Sequence, residues 1–478
     1  MNRIILLFAL ILAGELPAQW VSDSPQTVAL QDPWGNLRPR IALDASASPM
    51  VIWSRPSDHT VMFSRRDAGA FSTPVQISEE NLHILGYDWY GPEISSAGNH
   101  VYVVYKEMPE ESGPIHLVHS SNGGLDWDAS VIVDSSTAIS ARMPAIAADN
   151  DGKVYIAYML EDVQAGISEW VLVKSTDYGA SFGEMIHLTA DNSSAVCDCC
   201  PASLAVSDSN VAFLYRNNQD DLRDIRAVVS LDDGESFSTY ADMDDMNWVL
   251  GACPSTGPSA RWNGTQLQSA WMSAASGDNR IYFSAVPVSD VSALDQQLIH
   301  PAPSNESQNY PSIDGNDLIS GIAGELLISG QRNIFISISE DEFQSEFYLV
   351  LTSDESGNQV RPHLKFDGTG FHLVYSDNGG DAVTYRYITQ GNGISEGTNG
   401  RLIAYPQPAQ DHVRITVPES GKVSSVEIRD IYGRLCSGQF DNVSEREIRV
   451  CLGDLSPGTY MIQLRCEDSV YSTKIFKD

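Results

Sequence analysis

A short motif occurs three times in this chain at a constant interval. The copies run from Ser120 to Trp127, from Ser175 to Phe182 and from Ser230 to Phe237, and their first serines stand 55 residues apart in both intervals. A turn motif that returns at such a period indicates one supersecondary unit repeated along the chain. This repeat constrains the fold more than any other feature of the sequence.

The residue types of the motif suit a hairpin corner. Its pattern is Ser-x-(Asp/Asn)-x-Gly-x-x-(Trp/Phe), in which the Asp or Asn side chain accepts backbone hydrogen bonds and the glycine supplies a positive φ. The pattern resembles the Asp box of sialidase-type β-propellers, which implies a structural and not a catalytic role. The motif residues are Ser120, Asn122, Gly124, Trp127, Ser175, Asp177, Gly179, Phe182, Ser230, Asp232, Gly234 and Phe237.

A longer repeat surrounds the three boxes. Each unit opens with a proline and continues with short runs of alternating β-branched and aromatic residues between Gly and Asp, which is typical of strands. The opening prolines, 51 to 57 residues apart, are Pro39, Pro92, Pro144, Pro201, Pro258, Pro311 and Pro362. We therefore predict an all-β, seven-bladed sialidase-like β-propeller over residues 19–389. The sialidases themselves usually have six blades, so a six-bladed propeller is the alternative.

Some units depart from the full pattern. Units one, five and six keep their strands, and we expect them to lack the box. The seventh unit has only three strands of its own, and Thr27–Leu30 from the N-terminal end can supply the fourth. Such a closure would join both ends of the propeller in one blade and remove an exposed sheet edge.

The N-terminus and the net charge limit where the protein works. Residues 1–18 are predicted to be a signal peptide, because Arg3 precedes a short apolar run and Ala18 suits cleavage. The apolar run, Ile4–Ala13, is too short to span a bilayer, so we expect no transmembrane anchor. The formal charge of −34 disfavours nucleic-acid binding. We expect a secreted or cell-surface protein that is monomeric.

The composition changes after the predicted propeller. Residues 390–401 are glycine-rich and polar, as expected of a linker. Residues 402–478 contain Tyr405-Pro406-Gln407-Pro408-Ala409, Leu455-Ser456-Pro457-Gly458-Thr459-Tyr460 and a closing Lys474-Ile475-Phe476-Lys477. This segment resembles the C-terminal sorting domain of the type IX (Por) secretion system, a small immunoglobulin-like β-sandwich. The resemblance implies type IX machinery as a partner; the alternative is a stalk or binding module.

Arginines stand where the propeller would present its axial face. Arg38 and Arg361 directly precede opening prolines, Arg142 lies two residues before one, and Arg216 ends a second strand. A guanidinium matches a carboxylate with two hydrogen bonds, so a ring of arginines suits an acidic sugar. Sialidases resemble this arrangement, with an arginine triad, a tyrosine nucleophile activated by glutamate, and an aspartate acid/base. Leu37-Arg38-Pro39 is similar to their Phe-Arg-Ile-Pro signature but lacks one residue.

Two functions are consistent with such a face. One is a retaining glycosidase for sialylated or related acidic glycans, with Tyr310 or a member of Tyr87–Tyr90 as nucleophile and Asp88 and Glu93 as carboxylates. The other is a non-catalytic propeller that binds a glycan or protein ligand. In the simplest alternative, the arginines pair with neighbouring acids around the axis. Neither function calls for a cofactor.

Four cysteines form a second candidate site. Cys197, Cys199 and Cys200 precede the fourth opening proline, and Cys253 precedes the fifth. On adjacent blades both segments reach the same face, so one or two disulfides would brace these loops in an exported protein. A thiolate site for zinc or copper is the alternative. The adjacency of Cys199 and Cys200 makes a regular tetrahedral site awkward, and we expect no metal.

Overall fold

The computed structural model describes two compact units, Ser22–Ile388 and a unit that contains the described residues from Thr389 onward. The described residues are 20–30, 35–134, 140–162, 164–190, 196–264, 266–290, 293–301, 306–353, 355–378, 381–390, 403–405, 409–416, 423, 425–430, 434–436, 439–444, 447–465 and 470–477. The predicted signal peptide and nearly all of the predicted linker lie outside them. None of the described residues forms a helix that could span a bilayer.

The first unit contains seven antiparallel sheets, six of which are built from consecutive strands. Two short strands come first in the chain: β1 (Trp20–Ser22) and β2 (Gln26–Ala29). The first sheet has β3 (Leu37–Leu43), β4 (Pro49–Arg55), β5 (Thr60–Asp67), β6 (Ala70–Phe71) and β7 (Val75–Gln76), and the second has β8 (Glu93–Ala97), β9 (His100–Lys106), β10 (Ile115–Ser120) and β11 (Val131–Ile132). The third has β12 (Ser140–Ala148), β13 (Val154–Asp162), β14 (Ile167–Ser175) and β15 (Ile186–His187).

The remaining sheets follow the same order. The fourth has β16 (Ser203–Ser207), β17 (Asn210–Arg216), β18 (Ile225–Ser230) and β19 (Thr239–Asp242), and the fifth has β20 (Ser259–Asn263), β21 (Gln266–Ser273), β22 (Arg280–Pro287) and β23 (Asp295–Leu298). The sixth has β24 (Glu306–Gly315), β25 (Ser320–Ile328), β26 (Gln331–Ser339) and β27 (Phe347–Val350). The seventh has β28 (Gln359–Phe366), β29 (Gly370–Asp377) and β30 (Ala382–Gln390), and β2 pairs with β30.

The seven sheets form a closed ring. The first strands of neighbouring sheets contact one another all the way round, in the order β3, β8, β12, β16, β20, β24, β28 and back to β3. In the seventh sheet, Thr27 pairs with Thr384 and Ala29 with Val383. The predicted propeller is therefore confirmed, and its closing strand comes from the N-terminal segment, as predicted.

Side chains of one inner strand accept hydrogen bonds from the next inner strand. A backbone N–H donates to a serine hydroxyl of the preceding sheet in three places: Ala260 to Ser203 (3.2 Å), Ile313 to Ser259 (3.1 Å) and Leu364 to Ser312 (3.0 Å). Where the ring closes, the N–H of Ile41 donates to His363 Nδ1 at 3.0 Å. These bonds satisfy backbone donors on strand edges that have no further strand to pair with.

The three predicted boxes are compact hairpin corners. In the second one, Ser175 Oγ donates to Asp177 Oδ1 (2.7 Å) and accepts the N–H of Gly179 (2.9 Å). The glycine of the first box, Gly124, has a φ of 79° and packs so closely that an added Cβ would lie 2.2 Å from Phe63 Cζ of the preceding sheet. The box therefore both turns the chain and joins neighbouring sheets.

The sixth sheet contains a fourth corner of this kind. Ser339 Oγ donates to Asp341 Oδ1 (2.8 Å) and accepts the N–H of Phe343 (2.8 Å), while the N–H of Ser345 donates to Asp341 Oδ1 (2.9 Å). Phe343 takes the glycine position with a φ of 61°, and its ring packs 4.9 Å from that of Phe283 in the fifth sheet. The prediction that unit six lacks the box was wrong. Unit six forms the corner with Phe343 in place of the glycine, and the Phe343 ring contacts the fifth sheet.

The second unit is a β-sandwich by itself. One sheet has the order β31 (Ile403–Tyr405), β32 (His412–Thr416), β36 (Glu447–Cys451), β35 (Phe440–Ser444), and the other has β34 (Leu435–Cys436), β33 (Ser425–Asp430), β37 (Gly458–Arg465), β38 (Val470–Lys477). Both sheets contribute to one buried apolar cluster that includes Val413, Ile415, Ile428, Val450, Ile462 and Leu464. The predicted small sandwich is confirmed.

The contact between Gly124 and Phe63 can be tested with a matched pair of substitutions. Gly124→Ala and Gly69→Ala both place a methyl group on a residue of positive φ, but only the first meets another side chain; the space around Gly69 is open. We expect Gly124→Ala to lower the free energy of unfolding by about 1–3 kcal/mol more than Gly69→Ala, because of overpacking. Denaturant unfolding of the propeller measures the difference, and equal losses would contradict the proposed contact.

Candidate functional site

Four of the seven inner strands carry an irregularity at the same place. The residue before the proline has a positive φ in each: Arg38 (52°), Met143 (49°), Tyr310 (49°) and Arg361 (58°). The strand register shifts at all four positions. Left-handed backbone at non-glycine residues costs about 1–3 kcal/mol and bulges redirect side chains, so such positions are typical of functional sites. These strands begin before their prolines, which were predicted to open them.

Three of these residues, Arg38, Tyr310 and Arg361, line a cavity of about 550 Å³ on the propeller axis. The cavity wall is made by the inner strands and by Trp89. Among the described residues that line it, the basic ones are Arg38, Arg40, Arg261, Arg361 and Lys365, and the acidic ones are Glu93 and Asp314. The protein as a whole carries a formal charge of −34. A basic cavity in an otherwise acidic protein attracts anionic ligands and raises their local concentration.

Two arginines in this cavity share a single carboxylate. Arg38 Nη2 forms an ion pair with Glu93 Oε1, and Arg40 Nε donates to Glu93 Oε2 at 3.2 Å. Burial raises the pKa of Glu93, but the two guanidiniums outweigh it and the pKa is lowered. Burial and the neighbouring Arg38 lower the pKa of Arg40 to about 10. Within the described residues, the buried Nε of Arg38 has no acceptor. The group therefore carries an excess of positive charge.

Arg361 contacts two other predicted site residues, Asp88 and Tyr310, and one residue that was not predicted, Glu325. Its Nη1 lies 2.5 Å from Glu325 Oε1, its Nη2 lies 2.5 Å from Asp88 Oδ2, and its Cζ lies 3.4 Å from the centre of the Tyr310 ring. Burial raises the pKa of Glu325, and burial also raises the pKa of Tyr310. Tyr310 is thus held as a neutral phenol against a cation. Asp88 neutralises an arginine, which leaves it poorly placed to act as a free acid.

Arg142 belongs to a different group, with a loop of aromatic residues. It forms ion pairs with Glu110 (2.7 Å) and Glu161. Tyr90 donates its hydroxyl to Glu110 Oε1 at 2.5 Å, and Tyr87 donates to Oε2 of the same carboxylate at 3.2 Å. Tyr90 is 1% exposed, and burial followed by Glu110 raises its pKa, whereas Tyr87 is 39% exposed. A Tyr–Glu contact therefore exists, at a glutamate that the sequence did not single out.

Arg216 has no carboxylate partner among the described residues. Its guanidinium donates to three backbone carbonyls, those of Thr256 (3.1 Å), Arg223 (2.6 Å) and Met272 (2.8 Å), and it is 1% exposed. It does not line the axial cavity. The four predicted arginines thus divide among three groups: Arg38 and Arg361 face the axial cavity, Arg142 pairs with its own acids, and Arg216 braces loops.

The predicted cysteine segments do meet. Cys199 and Cys253 form a disulfide with their Cα atoms 6.2 Å apart. Cys197 and Cys200 are buried beside it as free thiols. The backbone segments on either side of these cysteines also approach each other closely. A Cβ added to Gly257 would lie 1.8 Å from the carbonyl oxygen of Pro201.

The sequence reasoning did not name Arg40, Glu110 or Glu325, and it included Trp89 only as a member of the segment Tyr87–Tyr90. Arg40 and Trp89 line the cavity, and Glu325 holds Arg361. Glu325 could have been detected in the sequence, because it interrupts the apolar run that forms β25. In the structure its side chain is buried, with 2% exposed. A charged residue in a buried strand usually has an ionic partner. Arg40 and Trp89 had no such signal.

Comparison with known proteins identifies the C-terminal unit. Residues 403–478 match the family described as "Secretion system C-terminal sorting domain". The predicted type IX sorting domain is therefore confirmed, and the chain is a secreted or cell-surface protein exported by that system. No curated protein matches the sequence at a significant level.

Solved structures resemble the chain at low identity. They include an α-L-arabinofuranosidase of Fusarium graminearum with arabinobiose (13% identity, 67% of this chain and 98% of that chain, TM-score 0.48) and an α-L-arabinanase of Penicillium chrysogenum (12%, 78% and 100%, TM-score 0.44). A subtype N10 neuraminidase-like protein from the strain A/little yellow-shouldered bat is 7% identical (67% and 96%, TM-score 0.41). Similarity of this extent says nothing about the ligand of the axial cavity.

The shared carboxylate makes Glu93 the residue on which the cavity wall depends. We expect Glu93→Gln to lower the free energy of unfolding at pH 7 by about 3 kcal/mol, because the buried guanidinium of Arg38 and the partly buried one of Arg40 lose their counter-charge. The lowered pKa means that the stabilisation is complete above the ordinary value of 4.5 and is lost as the pH falls through the folded value. The variant should therefore lose less stability than the unmodified protein on acidification.

Denaturant unfolding at pH 7 and at pH 3.5–4.5 checks this expectation. The control is Glu235→Gln, which breaks an ion pair to Lys174 at an exposed carboxylate and should have little effect. Identical pH dependence of Glu93→Gln and the unmodified protein would contradict the assigned role.

Proposed function

We propose that this exported propeller binds an anionic saccharide in its axial cavity and does not hydrolyse it. The observation that supports this most directly is the pairing of Arg38 and Arg40 with the single carboxylate of Glu93. A second carboxylate, brought by the ligand, would balance the remaining positive charge. Charge-assisted, bidentate hydrogen bonds are the strongest polar contacts available to such a ligand.

The cavity also has apolar surfaces suited to a sugar ring. Trp89 and Tyr310 line it together with the basic side chains. Saccharide sites combine aromatic faces with a few fixed polar groups, and here the polar groups are held in place by ion pairs. Arg40 remains charged at neutral pH, since its pKa of about 10 is still well above 7.

Several contacts argue against hydrolysis with the residues first considered. The arginines that a sialidase-type triad would offer to the substrate already contact acids or carbonyls. Tyr310 is a neutral phenol whose pKa is raised by burial. A tyrosine nucleophile needs a lowered pKa or a neighbouring base that activates its hydroxyl.

One contact favours glycoside hydrolysis as the second candidate function. The exposed Tyr87 places its hydroxyl 3.2 Å from Glu110 Oε2, and Glu110 is positioned by Arg142. A tyrosine with a neighbouring glutamate base is a possible nucleophile pair. The carboxylate of Glu110 already forms an ion pair with Arg142 and accepts the hydroxyl of Tyr90, which is why we rank hydrolysis second.

Binding can be measured by calorimetry with oligosaccharides of different charge. We expect affinity for a sialic-acid- or uronic-acid-terminated oligosaccharide and none for its neutral counterpart. Arg40→Gln should weaken binding about tenfold, because a charge-assisted hydrogen bond is lost. The control Arg226→Gln removes a surface partner of Asp242 and should bind normally. Equal affinity for the charged and neutral sugars would refute the proposal.

Hydrolysis can be tested separately with a fluorogenic aryl sialoside. We expect no release of the aryl group by the unmodified protein, and hence no difference from Arg38→Ala. Turnover that is lost in Tyr87→Phe would instead support the second candidate, since the variant removes only the hydroxyl that contacts Glu110.

A further inference from the structure

Four sulfur atoms gather in the segments that lead to the fourth and fifth inner strands. Cys199 and Cys253 are bonded. Cys197 Sγ lies 2.7 Å from Cys200 Sγ and 3.6 Å from Cys199 Sγ. The first of these distances is much shorter than an ordinary sulfur contact and approaches the disulfide length of about 2.0 Å. The free thiols are thus next to each other and next to an existing disulfide.

Access to the four sulfurs is unequal. Cys197 and Cys200 are each 1% exposed, whereas Cys253 is exposed. An external oxidant therefore reaches the Cys199–Cys253 pair and not the buried pair. Exchange through the outer disulfide is the route by which the inner pair can be oxidised in the folded protein.

The two buried thiols are also chemically different. The hydrogen bond with Cys200, helped by Arg216 and Arg223, outweighs burial and lowers the pKa of Cys197 to about 7. Burial raises the pKa of Cys200. A thiolate beside a protonated thiol is the arrangement of groups that undergo exchange, because the thiolate attacks and the thiol then resolves.

We propose that these four cysteines form a disulfide relay, in which the outer Cys199–Cys253 pair passes oxidation inward to form a second disulfide between Cys197 and Cys200. The relay is independent of the ligand proposed for the axial cavity. The new Cys197–Cys200 disulfide would close a short loop in the segment before Pro201. This segment lies where Gly257 packs against the Pro201 carbonyl.

The exchange balances without an oxidant in its first two steps. Cys197 attacks Cys199 Sγ, the Cys199–Cys253 bond breaks, and Cys253 leaves as a thiolate. Cys200 then attacks Cys197 Sγ and its proton passes to the leaving sulfur, so that Cys197–Cys200 forms and Cys199 leaves as a thiol. Two electrons have moved from the inner pair to the outer pair.

An external disulfide completes the cycle. Cys253 attacks a disulfide of an oxidising thiol protein or of oxidised glutathione, and Cys199 resolves the mixed disulfide. The Cys199–Cys253 bond is restored, and the external disulfide leaves as two thiols. The final state has two disulfides and no free thiol among these four residues.

Peptide mapping of the exported full-length protein tests the final state. After acid quenching and maleimide labelling in denaturant, trypsin yields a peptide 175–216 with Cys197, Cys199 and Cys200 and a peptide 227–261 with Cys253. We expect the two peptides to be linked and to carry no maleimide. Two labels on Cys197 and Cys200, or zinc or copper retained by thiols that label after chelation, would overturn the proposal.

The order of events is tested by reoxidation. The full-length protein is reduced under native conditions and then oxidised with oxidised glutathione, and the Cys197–Cys200 bond is followed over time. We expect Cys253→Ser to slow its formation at least about tenfold, because the exposed thiol is lost. The control Cys451→Ser changes an exposed cysteine of the second unit and should leave the rate unchanged. Equal rates for Cys253→Ser and the unmodified protein would refute the relay.

Cys200→Ser provides a second test should Cys253→Ser fold poorly. Without the resolving thiol the exchange stops after its first step, so some molecules should hold a Cys197–Cys199 bond and a free Cys253. Maleimide should then label Cys253 under native conditions. The absence of this label would show that Cys197 does not attack Cys199.

Discussion

The inner edge of each sheet is the constraint on which this propeller depends. An inner strand has a sheet partner on one side only, and its other backbone groups must find partners around a narrow axis. Serine hydroxyls and His363 Nδ1 supply acceptors from one sheet to the next. At the same inner strands, bulges before the prolines turn Arg38, Tyr310 and Arg361 into the cavity. Ring closure and the candidate site thus share one set of strands.

Much of the fold was predictable from local sequence. The equal spacing of the boxes and the proline interval indicated seven similar sheets, and the shortage of a strand in the last unit indicated closure by the N-terminal segment. The corner at Ser339 was missed because Phe343 takes the place of glycine and packs on Phe283. A contact between neighbouring sheets thus overrode the local rule that a positive φ calls for glycine.

The candidate site was predictable only in part. Position relative to the prolines placed Arg38 and Arg361 at the axis, since a strand end is a local property. The partners of these arginines were not predictable, because they come from other sheets and loops. Asp88 reaches Arg361 across 273 residues of sequence. Such pairings decide whether an arginine is offered to a ligand or already neutralised, and no spacing rule reports them.

The closing strand ties the integrity of the ring to the extreme start of the described chain. Arg386 Nη1 donates to the carbonyl of Asp23, which is 363 residues away. The seventh sheet therefore stays incomplete until almost all of the propeller has been synthesised. Until then its N-terminal strand, which is synthesised first, remains unpaired. Because β2 is only four residues long, it exposes few backbone hydrogen-bonding groups to a wrong partner. Proteolytic removal of the chain up to Ala29 would reopen the seventh sheet and leave β30 with a bare edge.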